Sequence, residues 1–330
     1  MKEKGRLEMS AHTGWKARMI GHLRTIAPTV RHQIGALQEP TSVRWRTKIP
    51  NEFGEEITHS GRFCEVAGED TLVVILHGLG GSVSRGYCLE AARASHQMGM
   101  PTLRLSLRGA DGLGRDFHHA GFTDDLGPLL RKPEWDRFKK IAIVGFSLGG
   151  HVALRAAVEE VDPRIAAVAA ICPPLDLRAS QESIDSPSRW IYRQSVLRSL
   201  KKIYPRMVRG RSGMTPASRV QQVQTLREWD ALTVIPRFGF RDVDHYYRSQ
   251  SVGPDLAQMK KTSLVVASPA DPMIPADSLR GSLARASNNV EVRWVQGGGH
   301  VFFPPGSYLG FGDEPGVPAQ VIHWVSEQLR

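Results

Sequence analysis

A serine set between glycines, an aspartate and a histidine each follow a short apolar run, and side chains of these types can together carry out acyl transfer. The serine is Ser147 in Gly145-Phe146-Ser147-Leu148-Gly149-Gly150, which follows Ile141-Ala142-Ile143-Val144 and precedes a helix-forming stretch from His151 to Glu160. Strand, Gly-x-Ser-x-Gly and helix describe a nucleophile elbow, a tight turn that projects the hydroxyl into a cleft. Gly145 and Gly149 are needed because a Cβ at either position would collide with the neighbouring strand or helix. Ser147 is forced into a strained backbone conformation of the kind that clusters at functional sites. The following helix aims its free N–H groups and positive dipole end at the serine, so the Leu148 N–H is expected to be one oxyanion donor.

A serine on such an elbow takes its acid and then its base from later strand ends, in that order along the chain. Leu264-Val265-Val266-Ala267 reads as a buried parallel strand and runs into Ser268-Pro269-Ala270-Asp271-Pro272, which makes Asp271 the candidate acid. Taken alone, Asp271 is equally suited to close a turn or cap a helix starting near Pro275. Val290 to Val295 alternates with a period of two and ends in Gln296-Gly297-Gly298-Gly299-His300, which selects His300 as the candidate base from twelve histidines. Upstream, Leu72-Val73-Val74-Ile75-Leu76 enters His77-Gly78-Leu79-Gly80-Gly81, a loop slim enough for backbone to approach a substrate. Its Leu79 N–H is the expected second oxyanion donor. The glycine spacing of a phosphate-binding loop is missing there.

With these residues in view, the chain resembles the YheT-like branch of the α/β-hydrolase superfamily, a group of abhydrolase-domain esterases and lipases. The resemblance is carried by His22-Leu23-Arg24-Thr25-Ile26, His77 to Gly81, Arg108-Gly109, Gly121 to Leu126, Gly145 to Gly150, Pro174 to Leu177, Asp244 to Arg248, Asp271-Pro272 and Gly298 to His300. It implies Ser147 as nucleophile, Asp271 as acid and His300 as base, with Leu79 and Leu148 supplying oxyanion N–H groups. The chain departs from the pattern at Asn51 to Ser60, where an acidic, glycine-containing stretch is expected, and no counterpart of the N-terminal membrane anchor of some members is expected.

The expected fold is therefore α/β: an α/β-hydrolase fold, a mostly parallel sheet with helices on both faces and a helical cap inserted before the strand that carries the acid. All 330 residues form one expected domain. Residues 1–40 make a basic segment that docks on the core, with Trp15, Met19, Leu23 and Ile26 on one helical face. The cap spans about residues 178–258, where strand character lapses between Pro174 and Ser263. Thr123 or Asp124 is expected to cap a helix, and Tyr246-Tyr247-Arg248 to pack the base of the cap.

Composition bounds the function. The longest apolar run, Ile165 to Leu175, is too short to cross a membrane, and no secretory signal is evident. Cys64, Cys88 and Cys172 show no paired or metal-binding spacing, which suits buried thiols in a reducing cytoplasm. The net charge of +10 gathers between Lys16 and Lys48 and between Arg189 and Arg219, the latter without one acidic residue. With Trp190, Ile191, Tyr192, Val196 and Leu197 interleaved, the cap reads either as a solvated surface or as peripheral to an anionic membrane surface. No nucleic-acid-binding module accompanies the charge.

The expected activity is a serine hydrolase that cleaves carboxylic esters, short- to medium-chain acyl esters or lipids, with no cofactor and no metal. An acyltransferase or thioesterase on the same triad is the alternative. A non-catalytic ligand-binding protein of this fold is the further one.

Overall fold

The computed structural model describes Gly21, His22, Thr25 and residues 39–330. The expected helical face of Trp15, Met19, Leu23 and Ile26 lies outside the described residues. An eight-stranded sheet runs β1 (Val43–Pro50), β2 (Glu56–Cys64), β3 (Thr71–Leu76), β4 (Thr102–Leu105), β5 (Lys140–Phe146), β6 (Ile165–Ile171), β7 (Thr262–Ala267) and β8 (Val290–Trp294), in the spatial order β1-β2-β4-β3-β5-β6-β7-β8. β2 pairs antiparallel with both β1 and β4; all pairings from β4 across to β8 are parallel.

The central strands β3, β5 and β6 are apolar beyond their first residues because both sheet faces are covered. Leu72, Val74 and Leu76 of β3 pack into one core with Val152, Ala153 and Ala156 of the Leu148–Val158 helix. Val73 and Ile75 face the opposite core, among Ala91 of the Gly86–Gln97 helix and Val321, Ile322 and Trp324 of the Val317–Leu329 helix. Alternation by two residues thus divides one strand between two cores. In β1 only Trp45 and Ile49 are buried, between charged neighbours, so its pattern was masked by the basic run that contains it. Asn51 turns β1 into β2: its Oδ1 accepts from the N–H groups of Phe53 and Glu55 at 3.0 and 2.9 Å. The segment in which the chain departs from the YheT-like pattern is therefore a β-hairpin.

Between β6 and β7 lies a helical insertion, with helices at Leu177–Asp185, Trp190–Met207, Leu226–Leu232 and Val243–Gln250. It has a core of its own around Leu197, Tyr204, Trp229 and Tyr246. The apolar face of Trp190–Met207 is spent on that core through Tyr192, Leu197, Leu200, Tyr204 and Met207. Several cations of the basic run are likewise turned inward: Arg189 donates to the Pro272 carbonyl, Lys201 to the Val223 carbonyl, and Arg211 reaches Asp116 at 2.9 Å.

One expected cap is absent. The Leu126–Leu130 helix has no side-chain cap; Thr123 donates instead to Glu159, and Asp125 pairs with Arg108. The guanidinium outcompetes the local backbone because it is buried and offers the carboxylate two parallel donors. Among the described residues no helix is long and apolar enough to cross a membrane.

Candidate active site

The parallel strands end on one edge of the sheet, and three loops at that edge bring Ser147, Asp271 and His300 together. Ser147 follows β5 with φ 53° and ψ −120°, in the left-handed half of backbone space. Its N–H donates to the Ile171 carbonyl of β6 at 2.8 Å, which holds the strained turn against the sheet. A Cβ on Gly145 would overlap the Gly149 backbone, and one on Gly149 would overlap the Leu76 and His77 carbonyls. The two glycines are steric requirements of the turn.

Asp271 lies four residues beyond β7 and is nearly buried. Its Oδ1 accepts from the N–H groups of Met273 and Ile274 at 2.8 and 3.0 Å, so it does close the local turn. Its Oδ2 lies 2.8 Å from His300 Nδ1, so the turn and the pairing coexist on separate oxygens. His300 Nε2 lies 2.8 Å from Ser147 Oγ. A carboxylate only accepts, so Nδ1 carries the imidazole proton and Nε2 is left to accept from the serine hydroxyl. This is the relay geometry of a nucleophile, a base and an orienting acid.

Leu79 and Leu148 border the same cavity as Ser147 and His300. Neither backbone N–H donates to another group among the described residues. The Gly78 loop passes so close that a Cβ there would stand 3.1 Å from Ser147 Cβ. His77 stiffens this loop: its Nδ1 donates to the Gly78 carbonyl at 2.8 Å and its Nε2 accepts from Leu107 N–H at 3.3 Å. Burial pushes the His77 pKa down to about 4, keeping the neutral tautomer that this pattern requires. Tyr87 adds a second brace, its hydroxyl accepting from Gly78 N–H at 3.3 Å.

Sequence reasoning missed how the chain's start supports this site. The His300 N–H donates to Thr25 Oγ1 at 2.8 Å across 275 positions, and Thr25 Oγ1 donates to the Gly21 carbonyl at 2.8 Å. His22 Nδ1 lies 2.7 Å from the Tyr192 hydroxyl of the insertion. Gly21 packs on the Ala270 backbone and Gly299 on Thr25, each so tightly that a Cβ would overlap. Thr25 sits in the His22-to-Ile26 motif, but nothing in that motif points to residue 300.

Cys172, Asp271 and His300 each offer a donor atom, all within 4.8 Å of one another. Their chemistry does not suit a cation. The imidazole nitrogens are taken by Asp271 and Ser147, and burial beside Asp271 pushes the Cys172 thiol well above its usual range, so the thiolate a metal needs is disfavoured. The cavity above Ser147, about 170 Å³, is walled mainly by apolar side chains of the insertion, including Leu177, Leu200 and Trp229.

The sequence model of the Alpha/beta hydrolase family matches residues 73–307. The chain is 27% identical over 317 residues to "Putative esterase YheT" of Escherichia coli (strain K12), covering 94% of this chain and 91% of that one. It is 24% identical over 245 residues to "Phospholipase ABHD3" of Bos taurus, covering 71% of this chain and 58% of that protein. Among solved structures, the Pyrococcus furiosus esterase Pf2001 aligns with a TM-score of 0.53 at 18% identity, covering 79% of this chain and 85% of that one, a likeness of fold.

Proposed function

The chain belongs to the alpha/beta hydrolase family, and from that premise we propose that it is a serine esterase that cleaves carboxylic esters, short- to medium-chain acyl esters or lipids, through an acyl-enzyme on Ser147. The observation that carries the reading is the continuous contact from Asp271 Oδ2 through both His300 nitrogens to Ser147 Oγ, each step 2.8 Å. Its similarity to esterases supports the same chemistry.

Ser147 Oγ attacks the ester carbonyl carbon while its proton passes to His300 Nε2, and the carbonyl electron pair becomes an oxyanion facing the Leu79 and Leu148 N–H groups. Asp271 holds the imidazole and stabilises the imidazolium. The tetrahedral intermediate collapses, the C–O bond to the alcohol breaks, and the leaving oxygen takes the proton from Nε2. Water then attacks the acyl-enzyme with His300 again as base, releasing the acid and restoring the serine.

The helical insertion acts as the cap in this reading, and it supports peripheral contact with an anionic membrane. Trp190 and Ile191, at the start of the Trp190–Met207 helix, are 57% and 47% exposed, and Arg198, Lys202 and Arg206 project along the same helix.

The deciding experiment measures hydrolysis of p-nitrophenyl esters of increasing acyl length, with and without anionic vesicles, for the wild type and Ser147→Ala. A loss on the order of 10⁶-fold in kcat is expected for the variant. Wild-type rates in Ser147→Ala would remove the assignment, and ethyl ester formed in the presence of ethanol would shift it to acyl transfer.

A further inference from the structure

The cavity at Ser147 is apolar on most sides, but on the insertion side it meets a set of polar groups that the acyl-transfer chemistry does not use. Gln181, Asp230 and Tyr247 all border it, each from a different helix: Leu177–Asp185, Leu226–Leu232 and Val243–Gln250. The Tyr247 hydroxyl donates to Asp230 Oδ2 at 2.7 Å. Asp230 Oδ1 has no protein partner among the described residues. Gln181 donates its amide to Asp185, whose oxygens also accept from the N–H groups of Leu226 and Arg227 at 2.8 and 3.1 Å. Because a carboxylate offers no proton, the orientation of the Gln181 amide is fixed. Its Oε1 is left buried without a donor.

An apolar chain entering from Ser147 therefore meets a wall whose residues hold two acceptors without a protein donor, Asp230 Oδ1 and the fully buried Gln181 Oε1. Unpaired buried acceptors are costly and rare, and in a cavity wall they favour a ligand that completes them. We propose that Asp230, with Gln181 and Tyr247, forms a hydroxyl-recognition subsite, so that the preferred substrates are esters whose buried acyl chain carries a hydroxyl group.

A hydroxyl suits this site better than an amine or a carboxylate. Burial, reinforced by nearby Asp185 and opposed by Tyr247 and Arg227, raises the Asp230 pKa to about 7, so both carboxyl states are populated near neutrality. A hydroxyl both donates and accepts, and pairs with either state. An ammonium pairs with one of them, a carboxylate is repelled by the ionised one, and a methyl group pairs with neither.

The subsite rests on the esterase reading, and its test separates the two. Matched p-nitrophenyl esters of acyl chains from about C4 to C12, ending in methyl, hydroxyl, amino or carboxyl groups, are compared by kcat/KM. At the chain length that reaches Asp230 the wild type is expected to favour hydroxyl over methyl by about tenfold or more. That ratio should fall below one in Asp230→Leu. Should this variant fail to fold, Asp230→Asn keeps the shape and Gln181→Leu removes the second acceptor; each should lower the ratio. Esters cleaved with no hydroxyl preference at any length, or with a preference for amino chains, overturn the subsite and leave the esterase reading standing. Absence of all ester cleavage overturns the esterase reading. The subsite is then judged on Ser147→Ala by thermal shift with 1-alkanols against 1,ω-alkanediols, where equal shifts overturn it and a larger diol shift supports it.

Discussion

The carboxyl edge of the sheet and the helical insertion above it face the same cavity, yet they are held in place by different forces. The edge is positioned by backbone: β3, β5, β6 and β7 pair side by side in parallel, and Ser147 N–H bonds directly to the Ile171 carbonyl. The insertion is tied to the body by charge. Asp116, fully buried, accepts from Arg108 at 3.0 Å and from Arg237 Nε at 2.8 Å, and forms an ion pair with Arg211 at 2.9 Å. Arg108 makes a second, two-pronged pair with Asp125 at 2.9 and 2.5 Å, and Arg237 lies 2.8 Å from Glu52. Backbone pairing tolerates any side chain of suitable shape, whereas a buried ionic network depends on each member. Such a network does little for net stability but penalises any arrangement that separates its charges. The edge is therefore held chiefly by main-chain pairing and the insertion chiefly by side-chain charge.

Three measurements test this division between backbone and charge. The largest is expected at the network. Asp116→Ala leaves three guanidinium groups without their shared acceptor and should destabilise the protein by about 3–5 kcal/mol, read by urea unfolding. A loss under about 1 kcal/mol would mean that apolar packing, rather than charge, fixes the insertion.

Next in size is an acid effect acting through one histidine beneath the sheet edge and one packed against the insertion. Burial lowers the pKa of His77, under the sheet edge, to about 4; it lowers that of His119, among Phe122, Phe238 and Phe240 of the insertion side, to about 3. The unfolded chain takes up protons below about pH 6.5 while the folded chain does not, so stability is full above that pH and declines as pH falls towards about 4. A shift of this size corresponds to at most about 3 kcal/mol for His77. Urea midpoints at pH 7 and pH 5 should differ accordingly. His119→Phe should flatten the slope, and an unchanged slope would count against the burial argument.

The smallest effect is expected at Thr25. Thr25→Val keeps the shape but strands the buried His300 N–H, which should lower kcat about tenfold with KM nearly unchanged, while Thr25→Ser restores the rate. Equal losses in Val and Ser variants would show that the methyl group, not the hydrogen bond, is what matters.

Much of the sheet edge was legible from sequence because each part is a local event. Apolar runs such as Leu72–Leu76 and Ile141–Val144 mark strands covered on both faces, and glycines at 145 and 149 mark a turn that admits no Cβ. Asp271 and His300 were distinguished from other acids and histidines by standing just past a strand. The β1–β2 hairpin was less legible because its exposed faces are charged. The expected cap at Thr123 or Asp124 failed for a related reason: Arg108 and Glu159 draw in the neighbouring side chains, and neither is near in sequence.

What the sequence determined by itself was the order of strands and turns, and with it which residues stand at the carboxyl edge, since periodicity and steric exclusion act over a few residues. Only the tertiary structure decided that Thr25 supports residue 300, that Arg211 and Arg237 meet at Asp116, and that Asp230 opens onto the cavity of Ser147. Side-chain hydrogen bonds and ion pairs are satisfied by whatever group the fold brings near, and chain separation leaves no periodic trace of that choice.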